Sequence, residues 1–193
     1  MKAVIKATAF ALFITGVPSL RTGAEFQIDA DTDVGFESFV KEFYISLENT
    51  NSTADFTDHF VKDTGVMVVN GKESKGFAAI LAAKQSFTNK GKTTNHLLRS
   101  ANTLGKQEKN ETFVVDFILQ TTTQPGNACT ETTGRGQFTL TTGATSQIEL
   151  SPHTNFLARY QVDIADSKKT CSVQEEAPPL DPSVASGGVG VIS

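Results

Sequence analysis

The sequence predicts an α+β domain in which N-terminal helices pack on a strongly curved, mostly antiparallel sheet. Two observations support this fold class. Apolar residues recur at helical spacing through the first part of the chain, whereas from about residue 95 they alternate with polar residues at the period of a β-strand. Because the helices come first and short polar turns separate the strands, we expect neighbouring strands to pair in antiparallel order.

The first predicted helix is a complete amphipathic element. Thr32 or Asp33 can cap its start, because either side chain accepts hydrogen bonds from backbone N–H groups that lack a helical partner. A polar run beginning at Glu48 ends it. The apolar residues recur at intervals of three or four and form one continuous stripe, which consists of Phe36, Phe39, Val40, Phe43, Tyr44 and Leu47.

Two further helices and a strand are predicted in the stretch that follows. Ser52 or Thr53 is the expected cap of a short second helix. The apolar run Val66–Val69 predicts a strand, and the Asn-Gly pair after it indicates a tight turn because both residue types tolerate positive φ. A third helix is expected over about residues 76–87, with Lys84 at the helical spacing of its apolar residues.

The remainder of the predicted domain is a sheet of long strands. The second of these strands, residues 111–121, is apolar on both faces, which indicates a central strand. Phe117 belongs to one of its faces and Asp116 to the opposite face. The predicted strands are 95–104, 111–121, 130–150 (one strand, or two with a break near Gly143) and 156–164.

Residues 1–24 are predicted to be a secretory signal peptide. Lys2 and Lys6 supply a positive start, an apolar run too short for a membrane span follows, and small residues precede the expected cleavage site. A buried or membrane-anchoring helix is the alternative, which Pro18 and Arg21 disfavour because they interrupt the apolar run early. We therefore expect a secreted, extracellular protein.

The charge balance excludes several classes of partner. The whole chain has a formal charge of −4, and removing the leader, which holds three basic residues and no acid, makes it −7. An acidic chain without a basic run is a poor partner for nucleic acid or anionic lipid, so we expect neither nucleic-acid nor membrane binding. Residues 174–193 lack a periodic apolar face and are predicted to be a disordered tail, which leaves 25–173 as one folded domain.

Cysteine usage and glycosylation motifs agree with export. The chain has two cysteines, Cys129 and Cys171, and in a secreted protein such a pair predicts a disulfide. A metal or redox pair is the alternative, which the lack of CxxC spacing disfavours. Asn-X-Thr sequons at Asn51 and Asn110 are the predicted glycosylation sites.

The order of these elements resembles the NTF2-like superfamily, and within it a secreted, fungal-type member of the SnoaL-like group. The resemblance implies a cone-shaped fold with a pocket between the helices and the concave sheet. Members include dehydratases, isomerases, cyclases, epoxide hydrolases and many proteins without enzymatic activity, so the resemblance leaves function open. Besides the first helix and His96, it depends on the segments 60–63, 69–71, 75–80 and 158–162.

Two titratable residues are candidate catalytic groups in such a pocket. His96 and Asp116 lie on predicted strands, and burial in a dry cavity moves the pKa of an imidazole or a carboxyl towards neutrality. As a general base, His96 would need a partner carboxylate or an opposed substrate proton, and the alternative is a hydrogen-bonded structural histidine. Asp116 can instead pair with Arg99 or Arg135, or lie on a solvated sheet face.

Three aromatic residues are candidate ligand-binding groups. Tyr44, Phe117 and Tyr160 lie on the apolar faces of their elements, and the two tyrosines can offer hydroxyl groups to a ligand. Ordinary core tyrosines are the alternative. His59 is expected at a rim or on the surface, and His153 in a solvated turn.

No sequence pattern indicates a metal or a cofactor. No two histidines have metal-ligand spacing, and there is no nucleophile elbow and no phosphate-binding glycine loop, since the Gly-Arg-Gly at 134–136 is too short. We therefore expect neither a metal nor a cofactor.

Three functions are consistent with these observations. The first is binding of a small apolar molecule in a cavity rich in phenylalanine, of which the chain has 14. The second is a small lyase or isomerase of the dehydratase type that uses His96 or Asp116. The third is an extracellular interaction protein without a working pocket. A homodimer through the outer face of the sheet is compatible with each of them.

Overall fold

The computed structural model describes residues 26–87, 91–123, 128–142 and 155–171. The predicted leader, the predicted tail, His153 and the predicted break near Gly143 lie outside these residues. Among the helices of the described part, none is long and apolar enough to cross a membrane.

Within the described residues, three helices and eight strands follow one another in an order that begins and ends with short strands. The helices are α1 (Val34–Glu48), α2 (Ala54–Thr57) and α3 (Phe77–Phe87). The strands are β1 (Gln27–Ile28), β2 (Val66–Val69), β3 (Lys72–Lys75), β4 (Lys92–Lys106), β5 (Asn110–Thr123), β6 (Ala128–Thr141), β7 (Leu157–Ile164) and β8 (Lys169–Thr170).

The eight strands in the part of the chain that the structure describes belong to one open, mixed sheet. Its order is β1-β4-β5-β6-β7-β2-β3, with β8 paired to β6. The central pairs β4–β5, β5–β6 and β6–β7 are antiparallel, as expected, whereas β1–β4 and β2–β7 are parallel. With its few helices on one large sheet, the structure confirms the predicted fold class, a cone of N-terminal helices on a mostly antiparallel sheet.

The predicted strands are present within the described residues, the predicted strand 130–150 as far as Thr141, but three short strands were not predicted. β1 and β8 have two residues each, too few to show a period. β3, whose sequence is KESK, has no apolar residue, because it is the edge strand that pairs with β2. The Asn-Gly turn therefore closes the β2–β3 hairpin, with φ of 47° at Asn70 and 81° at Gly71.

Local irregularities bend the long strands around α1. The register of β4 against β5 shifts between Leu98 and Ser100 and again between Thr103 and Gly105. β6 shifts against β7 between Thr139 and Leu140. Because a bulge adds a residue on one strand and increases the local twist, these positions give the sheet its concave inner face.

The core is an aromatic cluster between α1 and that concave face. Phe39, Phe43, Phe117 and Tyr160 all belong to this cluster. The ring of Phe36 stacks on that of Phe113, with centroids 4.1 Å apart. The helical stripe and the inward faces of the strands therefore meet as their periodicities predicted.

The two predicted helix caps have different outcomes. The Asp33 carboxylate accepts a hydrogen bond from the Gly35 N–H at 3.0 Å, which confirms the cap of α1. Thr53 occupies the N-cap position of α2 but makes no side-chain cap hydrogen bond, so that expectation is wrong. A helix of four residues depends on the packing of Phe56, which is fully buried, rather than on its cap.

The predicted disulfide between Cys129 and Cys171 is present, with Cα atoms 5.4 Å apart. It fastens β8 to β6, and a salt bridge of 3.0 Å between Lys169 and the buried Glu131 lies beside it. Closing a loop of this length stabilises the fold by about 4 kcal/mol in the chain-entropy picture.

Candidate functional site

A half-open pocket lies between the last turn of α1, the inner side of α3 and one end of the sheet. Its volume is about 220 Å³. Phe87 stands among its lining residues with a side chain 45% exposed, so it marks the mouth. Most of the wall is apolar and consists of Leu47, Met67, Val69, Leu119, Val162 and Ile164.

At the polar end of the pocket, the lining residue His96 is held by Glu48. Nδ1 of His96 lies 3.0 Å from Oε1 of Glu48, and the backbone N–H of His96 donates to the same oxygen. The two side chains are only 8% and 6% exposed. Because a carboxylate only accepts, Nδ1 carries the proton, which in the neutral ring leaves Nε2 as the basic nitrogen.

Glu48 is a functional candidate that the sequence analysis missed. We assigned it only to the polar run that ends α1. However, Phe36, Val40 and Tyr44 lie on one line of the helix at intervals of four residues, and Glu48 is the next member of that line. A carboxylate that continues a buried apolar line is the signal that could have identified it.

Aromatic rings fix the orientation of His96. Its ring centroid lies 4.6 Å from that of Tyr44 and 4.9 Å from that of Phe117. His96 therefore lies on the pocket wall, as its strand position predicted, and the carboxylate partner that a histidine base requires is present.

The two tyrosine hydroxyls are paired beneath the pocket. Oη of Tyr44 lies 3.4 Å from Oη of Tyr160 in a buried environment. Burial, followed by the neighbouring Tyr160, raises the pKa of Tyr44 well above its ordinary value, and burial also raises the pKa of Tyr160. Of the three predicted ligand-binding residues, Tyr160 lines the pocket, while Tyr44 and Phe117 are buried behind it.

The Gly-Arg-Gly of β6, which we had set aside as a phosphate loop, shapes this aromatic layer. A Cβ on Gly134 would come within 2.4 Å of the Phe117 ring, and one on Gly136 within 2.8 Å of the Tyr44 hydroxyl. The two glycines thus leave room for large rings on the concave face.

Asp116 lies on the other side of the sheet, so it does not belong to this site. Its carboxylate accepts hydrogen bonds from Arg135, at 2.7 Å from Nε and 3.2 Å from Nη2. The side chain is 35% exposed. Strand alternation explains this position, because Phe117 and Val115 on either side point inward. The expectation that Asp116 could serve as a pocket base is therefore corrected, and of the two alternative partners Arg135 is the one it meets.

A buried lysine on α3 is the second residue whose importance the sequence analysis missed. Lys84 lines the pocket and is 1% exposed. Its ammonium donates to the carbonyl oxygens of Asn49 at 2.9 Å and Ser52 at 2.6 Å. Burial lowers its pKa to about 8, against the opposing influence of Asp55. The signal was its place at the apolar spacing of α3.

The remaining candidates fall outside the pocket. His59 is buried rather than at a rim, because its ring packs edge-on against Phe39 and Phe43 at 5.6 and 5.7 Å. Asn51 is exposed and Asn110 partly exposed, so glycosylation at both remains a prediction. Among the described residues, no group of three or more His, Cys, Asp or Glu is placed to hold a metal ion.

Solved structures of other proteins share this architecture at low sequence identity. ActVI-ORFA from Streptomyces coelicolor matches with a TM-score of 0.55 and 14% identity over 69% of this chain and 96% of its own. A ketosteroid isomerase-like protein from Erwinia carotovora atroseptica matches with a TM-score of 0.51 and 10% identity over 72% and 100%.

A third match is a protein with a bound pigment. The orange carotenoid protein of Anabaena, in a structure binding canthaxanthin, matches with a TM-score of 0.52 and 15% identity over 85% of this chain and 45% of its own. No protein-family model and no curated protein matches the sequence. At these identities the structural likeness shows the fold alone.

Proposed function

We propose that this NTF2-like protein binds a small, largely apolar molecule in the pocket at the open end of its cone. The observation that carries the proposal is the pocket itself: a cavity of about 220 Å³ with an apolar wall and a few polar groups at one end. Sites for small molecules have this composition, in which apolar side chains supply affinity and few polar groups fix orientation.

The size of the cavity limits the ligand. Drug-sized ligands occupy pockets of roughly 300–1,000 Å³, and an engineered apolar cavity of about 150 Å³ accommodates benzene. A cavity of about 220 Å³ therefore suits one substituted ring or a short branched chain. A molecule as long as the canthaxanthin of the orange carotenoid protein would extend beyond it.

Native mass spectrometry of the purified protein tests this proposal. Leu119 lines the pocket and its strand neighbour Ile118 does not, although both are half-buried. Leu119→Trp should fill the cavity and abolish a bound mass that wild type and the matched control Ile118→Trp retain. A bound mass that persists in Leu119→Trp would contradict the assignment of the pocket.

A second candidate function is a lyase or isomerase reaction, which the His96–Glu48 pair favours. A buried carboxylate on Nδ1 orients the imidazole and stabilises it once it has accepted a proton at Nε2. Tyr160, a neutral hydroxyl donor on the same wall, could support a developing negative charge on a substrate oxygen. With both groups in one apolar cavity, the chemistry would be proton abstraction from a small substrate.

The catalytic candidate has a matched set of variants. On an identified substrate, His96→Gln should lower turnover by about 10²-fold or more, and Glu48→Gln should lower it with the fold intact. Asp116→Asn, on the outer face, should leave turnover unchanged. Full activity of His96→Gln would rule out His96 as the base.

The pocket argues against the third function, an interaction protein with a filled cone. Secretion, a leader at 1–24, glycosylation and a homodimer through the outer sheet face remain predictions. The disulfide and the exposure of Asn51 support export. Intact-mass analysis of material from the culture medium would test cleavage after Ala24 and glycan attachment at Asn51 and Asn110 together.

A further inference from the structure

We propose that the ligand of this pocket carries a carboxylate, so that the protein selects a small apolar acid over neutral and cationic molecules of the same size. This inference rests on the proposed function, because it specifies the chemistry of the molecule bound in the same cavity. It follows from the sign of the charges on the side chains that line the pocket and from the surroundings of Lys84.

The charged residues on the pocket wall are all cationic or basic. Lys84, Lys92 and His96 line the cavity, and no aspartate or glutamate is among its described lining residues. Glu48 is not among the lining residues, and its carboxylate is hydrogen-bonded to His96. In a chain with a net charge of −4, a pocket with this lining is electrostatically distinct from the rest of the molecule.

Lys84 is a buried charge without a salt-bridge partner among the described residues, since Asp55 acts on it only from beyond salt-bridge distance. It is 1% exposed. Two backbone carbonyls accept from it, and the Phe56 ring centroid lies 5.1 Å from its ammonium, so two of its three N–H donors have a hydrogen-bond acceptor. A buried ammonium without an ion-pair partner is costly, and a carboxylate entering the adjacent cavity would offset that cost.

Apolar and hydroxyl groups complete the fit. Thr94 and Thr121, which pair across β4 and β5, line the same wall, and a threonine hydroxyl can donate to a carboxylate oxygen. Leu47, Leu119 and Ile164 supply the surface against which a ring or short chain would pack.

The preference should depend on pH because the charge on Lys84 does. Burial lowers the pKa of Lys84 to about 8, so its ammonium is mostly neutral at pH 9. Affinity for a carboxylate should therefore fall from pH 7 to pH 9 by up to about tenfold, whereas affinity for a neutral analogue should not. The titratable groups on the elements packed around Lys84 are Glu48 on α1, Asp55 on α2, Lys72 on β3, Lys92 and His96 on β4, and Tyr160 on β7.

Isothermal titration calorimetry of the full-length protein with three probes of equal shape tests the inference. The probes are phenylacetate, phenylacetamide and 2-phenylethylamine. At pH 7 phenylacetate should bind about tenfold or more tightly than phenylacetamide, and the amine should bind most weakly. Lys84→Met should remove most of the preference for the acid. Lys92→Met, at an exposed position on the rim, should reduce the preference only about two- to threefold, because interactions of solvent-exposed charges are weak.

Each outcome separates this inference from the proposed function. Equal affinity for the acid and the amide would overturn the carboxylate preference and leave the apolar pocket in place. Absence of binding by all three probes would overturn both. A preference lost in Lys92→Met and retained in Lys84→Met would overturn the role of Lys84. If Lys84→Met does not fold, the pH profile of the wild type decides, because a flat profile for phenylacetate contradicts the inference.

Discussion

The two ends of α1 contact the same sheet but build opposite environments. At its N-terminal end, Phe36 stacks on Phe113 and meets Phe138 edge-on at 5.6 Å, and all three rings are buried. At its C-terminal end, Leu47 lines a cavity and Glu48 is hydrogen-bonded to His96. One helix therefore closes the cone at one end and leaves it open at the other.

This difference arises from a change in side-chain chemistry along one line of the helix. Phe36, Val40 and Tyr44 fill the space in front of them, and the fourth member of the line, Glu48, is charged. A buried carboxylate requires a partner, which His96 supplies. The site therefore begins where the packing stripe becomes polar.

The largest expected effect comes from truncating the closed part of the stripe. Phe43 is fully buried, with ring centroids of Phe138 and Tyr160 at 5.2 and 4.8 Å. Phe43→Ala should lower the free energy of unfolding by about 3–5 kcal/mol. Leu47→Ala, one turn further on and beside the existing cavity, should cost about 1–2 kcal/mol, because less packing is lost. Equal costs in chemical denaturation would show that the two ends are packed alike.

The next effect concerns the glycines that leave room for the rings. Gly134→Ala would place a Cβ 2.4 Å from the Phe117 ring, so it should destabilise the protein by about 1–3 kcal/mol. Gly105 in β4 has no atom within 4 Å of an added Cβ and is the matched control. Gly105→Ala should be neutral or stabilise by up to about 1 kcal/mol, because alanine restricts the unfolded chain. Thermal unfolding of both variants would measure the contrast, and a neutral Gly134→Ala would contradict it.

A smaller effect concerns the pH dependence of stability at the open end. The pKa of Lys84 is about 8 in the folded protein and near its ordinary value of 10.5 in the unfolded chain. Between these pH values the unfolded chain binds more protons, so the contribution of Lys84 to stability rises with pH from about 8 to 10.5. Tyr44 and Tyr160, whose folded pKa values are raised, act in the opposite direction above about pH 10.

Comparison with Lys84→Met isolates the lysine. The difference in unfolding free energy between wild type and Lys84→Met should move in favour of wild type as pH rises from 7 to 10, because the tyrosines cancel in that difference. Urea denaturation at a series of pH values measures it. A difference that does not change with pH would show that Lys84 titrates alike in both states.

The closed end could be predicted from the sequence more completely than the open end. Local periodicity identified α1 and β5 and thereby the Phe39, Phe43, Phe117 and Tyr160 cluster, because buried apolar faces repeat regularly. Alternation also placed Asp116 on the face of β5 that does not carry Phe117, which is where the structure has it.

The site depended on pairings that no local pattern encodes. Glu48 and His96 are separated by 48 residues, and only the packing of α1 against β4 brings them together. Lys84 reaches the carbonyls of Asn49 and Ser52 across 35 and 32 residues. His59 was misplaced for the same reason, because its burial is decided by the rings of α1.

The most direct test of the account asks whether a small apolar molecule enters the open end and not the closed end. The chain has no tryptophan, so one introduced tryptophan is a specific reporter. Phe87 lies at the pocket mouth, and Leu104 lies near the C-terminal end of β4. Their side chains are 45% and 60% exposed. Titrating phenylacetamide should change the fluorescence of Phe87→Trp in a saturable manner and leave that of Leu104→Trp unchanged. An unchanged Phe87→Trp signal, or equal changes in both variants, would contradict binding in this pocket.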